Sequence, residues 1–209
     1  MTTEDKTQNP GASTSWVSFL VPLLVVATVA FAWLWISGTG SPVKDSPSPG
    51  GGLKPDSVYY VFLSEIELYP TNPEGDSWDS GSGGAPDIRY RLAWQDVTIH
   101  ESETMEDSLI GEWSGVREGA LDKLLGEDKL NAGKLRASKD GKLRIEVEDA
   151  DTLTPDDPAG IVELQIMDLQ EGVNDLRYDK KTEGSAIKRL LIRLVSKDQP
   201  MEDIVRKMR

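Results

Sequence analysis

The chain has no cysteine and a single histidine, His100. The first absence removes disulfides and thiolate metal sites and leaves the redox compartment open. The second excludes a multi-histidine metal centre within one chain. Cationic side chains are scarce as well, 23 against 36 acidic ones, for a formal net charge of -13 over 209 residues. Nucleic-acid binding rests on neutralising phosphates with Lys and Arg, so nucleic acid is not an expected partner. Direct adhesion to anionic lipid is disfavoured for the same reason unless a cation bridges the two. Catalytic constellations are also missing. Ser114 in GEWSG lacks the spacing of a nucleophile elbow. His100 and Glu101 neighbour each other on a predicted strand, point to opposite faces, and have no nucleophile motif beside them. The chain reads as non-enzymatic.

What is present begins with a polar tail, residues 1–15, expected to be disordered. Residues 16–36 (WVSFLVPLLVVATVAFAWLWI) carry no charge. As a helix this run spans about 31 Å, close to the hydrocarbon thickness of a bilayer. Trp16 stands at one end and Trp33 and Trp35 at the other, where interfacial aromatics belong. A cleavable signal peptide would use Ala30-Phe31-Ala32. The apolar run continues past that site, however, and the region before it holds only Lys6 against Glu4 and Asp5. The expectation is a single-pass membrane anchor, with the remaining chain extracytoplasmic. Residues 37–57, rich in Gly, Pro and Ser, read as a flexible linker with a reach of about 25 Å.

From Val58 the apolar period becomes two, the mark of half-buried strands. Val58, Tyr60, Phe62, Ile66 and Leu68 are expected on one face. Ile88, Tyr90, Leu92 and Trp94 form a second run, with Arg89 and Arg91 opposite. Val97 and Ile99 follow, then residues 109–113. Leu143, Ile145 and Val147 alternate with Arg144, Glu146 and Glu148. Val162, Leu164 and Ile166 come next, and Leu190, Ile192 and Leu194 last. The fold class expected is all-β: an eight-stranded antiparallel sandwich over 58–197, interrupted by one short helical connection over 119–130. Met201, Ile204, Val205 and Met208 have helical spacing, but so short a segment rarely forms a helix alone, so 198–209 is expected as a frayed tail.

Two loops carry the candidate chemistry. Asp149, Asp151, Asp156 and Asp157 crowd into one turn between strands. An earlier loop, PTNPEGDSWDSGSGGAPD, holds Asp76, Asp79 and Asp87 with four glycines and Trp78. Two carboxylates about 5 Å apart repel by about 3 kcal/mol at an effective dielectric of 20. The loops can splay into water, some pKa values can rise, or a cation can sit among the oxygens. Calcium suits such a set, since it takes six to eight hard oxygen ligands in flexible geometry. An ordinary solvated acidic turn is the competing reading. The turn is not an EF-hand, because the third acidic position and its glycine are absent.

Read together, the loops resemble those of the C2 domain, the calcium- and lipid-binding β-sandwich of protein kinase C and the synaptotagmins. One loop of that family reads Asp-x-Asp, five residues, Asp, and a glycine three further on. Asp149, Asp151, Asp157 and Gly160 reproduce this spacing, and IEVED matches the strand that leads into it. The family's other loop ends in Asp-Pro-Tyr-Val. Here Asp87 takes the aspartate's place in Pro86-Asp87-Ile88-Arg89-Tyr90, without the following proline. Asp79 best matches that loop's first aspartate, with Asp76 as a rival. The resemblance covers about residues 57–197.

The resemblance implies that Asp79, Asp87, Asp149, Asp151 and Asp157 bridge one to three calcium ions, with Asp76 and Asp156 as further candidates. It also implies phospholipid head groups or a protein as partner. Leu153 and Trp78 would either dip into a bilayer from the loop tips or pack against their own loops. The family's lysine-rich phosphoinositide strand is missing. Two functions follow as expectations: a membrane-anchored binding module that uses calcium, or a calcium-independent tethered scaffold for adhesion or interaction.

Overall fold

The computed structural model describes residues 43–44, 52–78, 84–117, 126–151, 156–178 and 184–209. The expected tail 1–15 and anchor 16–36 lie outside the described residues. Of the expected helix over 119–130, the described part holds a 3-10 turn, Glu127–Lys129. Among the described residues no helix is long and apolar enough to cross a membrane.

The architecture is mostly β, two antiparallel sheets with one short α-helix. The strands are β1 (Val43–Lys44), β2 (Val58–Leu68), β3 (Ile88–Trp94), β4 (Val97–Glu101), β5 (Ile110–Glu112), β6 (Gly133–Arg136), β7 (Lys142–Asp149), β8 (Asp157–Gln165), β9 (Gly172–Arg177) and β10 (Ile187–Ser196). The first sheet runs β1-β9-β10-β2-β5, and β6 also pairs with β2. Since β10 occupies one side of β2, β5 and β6 lie end to end along the other: β5 pairs with 65–67 and β6 with 58–61. The second sheet runs β4-β3-β7-β8. Leu63, Ile66, Leu190, Ile192 and Leu194 from one sheet meet Ile88, Leu92, Leu143 and Ile145 from the other, each fully buried. This is the shared inner layer of a sandwich.

Within 58–197, where eight strands were expected, the described residues hold nine, β2–β10, and β1 precedes them; the apolar runs match seven of the ten, leaving β1, β6 and β9 unrevealed. β9 shows why. It buries Asn174 and Leu176 while Val173 is exposed, so its inward face is half polar. The Asn174 amide is satisfied locally: Oδ1 accepts from Gln170 N–H (2.9 Å) and Nδ2 donates to Gln170 O (2.9 Å). A hydrogen-bonded amide can be buried at little cost, and it conceals the strand's alternation.

A second correction concerns β2, whose period places Tyr60, Phe62, Ile66 and Leu68 on one face. Tyr59, Val61 and Leu63 enter the sandwich core together with Ile66 and Leu68, whereas Tyr60 and Phe62 belong to a separate cluster. The pairing with β10 slips between Leu191↔Glu65 and Ile192↔Leu63, leaving Ser64 as an extra residue. A β-bulge reverses the parity of every residue beyond it. β2 is therefore buried on both faces, and only the inward one belongs to the sandwich.

The outer cluster accounts for the C-terminus. Met201–Met208 forms helix α1 and lays Ile204, Val205 and Met208 on Tyr60, Phe62, Val116, Leu130 and Val195. Its terminal carbonyls are met by Gly115 N–H to Met208 O (2.9 Å) and Arg193 Nη1 to Lys207 O (3.1 Å). Glu202 and Asp203 in the first turn and Arg206 and Lys207 in the last oppose the helix dipole favourably. Packing supplies what an isolated segment of this length lacks. Gly115 is needed there, because a Cβ would stand 2.6 Å from the Phe62 ring and 2.9 Å from Met208.

The outward face of the first sheet carries a charge network. Arg189 donates to Asp175 through Nε (2.8 Å) and Nη2 (2.8 Å), and to Glu65 through Nη1 (2.8 Å). Hydrogen bonds from Arg189, then Arg177, hold the Asp175 carboxyl down at about 2. Its folded pKa lies below the unfolded one, so the stabilisation is complete above about pH 4 and is lost as pH falls towards 2. We expect Arg189→Gln to flatten the acid limb of the stability profile between pH 4 and 2, by on the order of 2 kcal/mol at neutral pH. Denaturant unfolding at several pH values measures it. Parallel profiles for the two proteins would contradict the assignment.

Candidate functional site

Four loops gather at one end of the sandwich: 69–87, 102–109, 150–156 and 178–186. Backbone bonds stitch them together. Leu68 N–H donates to Leu109 O (2.9 Å), Tyr69 N–H to Ala186 O (2.8 Å), Ala186 N–H to Ala159 O (2.7 Å) and Ile88 N–H to Met105 O (2.8 Å). The Tyr69 hydroxyl donates to Tyr178 O (2.6 Å). Within this rim, residues 79–83, 152–155 and 179–183 lie outside the described residues, and with them Asp79 and Leu153.

Register places three of the expected ligands. Ile88 pairs with Asp149, and Asp149 pairs with Asp157, so Asp149 and Asp157 on their strands and Asp87, just before β3, stand at the same edge. Asp151 follows two residues after Asp149 and is half-buried, whereas Asp156 and Asp157 are exposed. Asp76 is exposed in a turn of its own, organised by Asn72, whose Oδ1 accepts from Gly75 N–H (3.0 Å) and Asp76 N–H (2.9 Å). Trp78 is buried in the main core and donates from Nε1 to Tyr69 O (3.0 Å). It packs beneath its loop rather than projecting from the tip.

The repulsion expected among these carboxylates is relieved largely from within the chain. Asp149 is 3% exposed, and its Oδ1 accepts the Asp87 N–H (2.7 Å). Asp87 Oδ1 accepts the Asp107 N–H (2.7 Å), and Asp107 Oδ1 accepts the Ala85 N–H (2.9 Å). Bonds from backbone amides to carboxylates are charge-assisted. A built-in cation completes the arrangement. Arg89 donates from Nε to Glu148 Oε1 (2.7 Å) and from Nη2 to Asp156 Oδ2 (2.6 Å), spanning the acidic turn. Sequence reasoning passed over Arg89 and Asp107. The signal for Arg89 was its outward place on β3, facing the Glu146 and Glu148 row of β7. Asp107 has φ +50°, a conformation that sequence pattern does not reveal.

The chemistry of this donor set fits calcium: hard carboxylate oxygens, each able to accept more than one partner. Among the described residues, however, no three acidic or imidazole side chains converge closely enough to hold a metal.

Gly160 has a structural reason visible at the same edge. It lies at φ +152°, beyond the bulge at Ala159, and a Cβ there would stand 2.4 Å from Ser185 Oγ. Gly160→Ala is expected to cost about 1–3 kcal/mol, lowering Tm by several degrees. An unchanged Tm would mean that the rim does not depend on this close approach.

His100 is half-buried, its ring tilted against Tyr90 at a centroid distance of 5.6 Å. Burial, then the charge of Arg117, lowers its pKa. Its neutral form is favoured near pH 7, and it packs away from the acidic rim's Asp87–Asp149 edge, on the far side of the Ser102–Tyr90 bond (2.9 Å).

No family model and no curated protein matches the chain. Solved structures similar to it include one described as a C2 domain (14% identity, TM-score 0.42, covering 66% of this chain and 98% of that one). Another is a C2 domain of plant extended synaptotagmin 1 (14% identity, TM-score 0.45, 71% and 99%). A third is human GIVD cytosolic phospholipase A2 (12% identity, TM-score 0.45, 71% of this chain), of which the match spans only 18%. None of these similarities carries a ligand or an activity to this chain.

Proposed function

We propose that the chain is a membrane-anchored, non-enzymatic, C2-like binding module. Its rim takes calcium through Asp79, Asp87, Asp149, Asp151 and Asp157 and there engages a lipid head group or a protein. The observation that supports this is the register: Asp149 and Asp157 pair across two strands, and Asp87 immediately precedes the third, beside them at one edge. A second reading, a calcium-independent tethered interaction scaffold, has its own support. Arg89 already spans Glu148 and Asp156, and backbone amides already occupy one oxygen each of Asp87 and Asp149.

Thermal melting of the full chain in detergent micelles separates the two. The calcium reading expects Tm to rise with millimolar calcium and the rise to vanish in Asp149→Asn/Asp151→Asn, because only a ligand that binds the folded state stabilises it. Superimposable curves with calcium and with EDTA favour the scaffold. Short-chain phosphatidylserine added to the same micelles, with and without calcium, then distinguishes a lipid partner from a protein one.

A further inference from the structure

The two sheets finish their edge strands differently. On the first sheet β9 carries β1, from a stretch expected to be a free linker, with Val43 opposite Arg177 and Lys44 opposite Leu176. Gly52 bridges to Gln170 further along, and Leu53 is buried in the main core. On the second sheet β8 stands last, paired with β7 on one side. Near the rim its outer side is closed, because Ala159 O accepts the Ala186 N–H (2.7 Å) and Pro158 has no donor. Beyond Gly160 it is open. Ile166 N–H donates to Gly141 O (2.9 Å), and Lys142 O accepts the Gln95 N–H (3.3 Å), turning away from β8. Gln165 and Lys142 therefore form a non-hydrogen-bonded pair, whose own N–H and C=O groups point away from each other. Alternation gives Glu163 and Ile161 the same outward direction. Among the described residues, no hydrogen-bond partner meets these three N–H and three C=O groups.

We propose that the 161–165 edge of β8 binds an extended segment of another protein by strand addition, with a Lys or Arg set opposite Glu163. Main-chain bonds hold such a strand, and the side chains beside it choose its sequence. Val162 and Leu164 lie on the core side, buried and half-buried, and call for apolar neighbours. Glu163 and Gln165 are exposed on the other face. Lys142 approaches Glu163 only to 3.7 Å, and the two side chains are 59% and 48% exposed, so a second cation has access. Opposite charges directly across a strand pair attract. The same rule disfavours a second copy of this chain. The antiparallel register that uses all three outward residues sets Glu163 against its own symmetry mate, and like charges there repel. Setting Ile161 against Glu163 instead brings Gln165 opposite Ala159, whose carbonyl Ala186 already occupies. A net charge of -13 on each chain adds to the repulsion. The complementary strand, running antiparallel from the Gln165 end, is polar, apolar, cationic, apolar, apolar. This site is separate from the carboxylates of the rim and rests on neither calcium nor the anchor.

The probe is a fluorescein-labelled peptide, Ser-Thr-Val-Lys-Val-Ile-Ser, followed by anisotropy against the full chain in zwitterionic micelles with EDTA present. Saturable binding is expected, with slowed hydrogen exchange at the Ile161, Glu163 and Gln165 amides, which exchange fast in the free chain. Glu163→Lys is expected to weaken this peptide several-fold and to tighten, by a like factor, the peptide with Glu in place of Lys. Glu163→Pro removes an outward donor and no bond to β7, and is expected to abolish binding. If the proline variant does not fold, the charge exchange still decides, because it leaves the backbone untouched. Absence of binding at millimolar peptide overturns the proposal, as does binding that the charge exchange does not alter. A parent chain that dimerises with the same three amides protected also overturns it, in favour of self-pairing.

Discussion

Ile204→Ala/Met208→Ala lowers the stability of the sandwich by about 5 kcal/mol, taking about 2–3 kcal/mol for each buried side chain removed. Both residues are at most 1% exposed, and both pack on the outer face of the first sheet. The loss rivals the whole stability of an ordinary domain, about 5–15 kcal/mol. Tm should fall by about 10–20 °C. Tyr60 and Phe62 would lose their cover, and an apolar patch of that kind promotes self-association, so the variant should also sediment as larger species. Glu202→Ala, on the exposed face of the same helix, is the control and is expected to stay within about half a kcal/mol. A double variant that melts with the parent would mean that α1 does not pack on β2.

Trp113→Ala has the second largest expected effect, about 3–5 kcal/mol. Trp113 is 6% exposed, stands edge-on to Tyr90 at 5.0 Å and donates from Nε1 to Glu103 O (2.8 Å). A Cβ on Gly111 would stand 2.3 Å from its ring, so the strand before it is shaped to receive it. The consequence reaches the rim. Glu103 begins the stretch in which Met105 pairs with Ile88 and Asp107 donates to Asp87. Trp113→Phe keeps most of the ring and loses the hydrogen bond, so it should cost about 1 kcal/mol for that bond plus a small packing loss. Hydrogen exchange at the Met105 and Asp107 amides should rise sharply in the alanine variant and slightly in the phenylalanine one. Equal exchange in both would detach the rim from this tryptophan.

The sandwich was legible where a strand buries one face and keeps water on the other. β7 and β10 follow that rule, with Leu143, Ile145 and Val147, and Leu190, Ile192 and Leu194, all buried as their alternation requires. It failed where a local device overrides the period. Ser64 reverses the parity of β2, and Asn174 hides β9 behind a satisfied amide. The helical spacing of Met201, Ile204, Val205 and Met208 was visible, but those eight residues do not show the sheet face on which the helix packs. The rim was legible in position, since Asp87 and Asp149 do meet at one edge. Its electrostatics were not. Sequence spacing showed crowded carboxylates, but the backbone amides that cap them and the guanidinium of Arg89 become partners only once strands from distant parts of the chain are paired.

Equilibrium dialysis of the full chain in micelles against radioactive calcium tests the central claim most directly. The account predicts saturable binding of about one to three ions per chain at millimolar calcium or below, lost in Asp149→Asn/Asp151→Asn and retained in Asp76→Asn. Binding no greater than that of the double variant over the whole range would contradict it, and the rim would then be a self-neutralised scaffold edge held by Arg89.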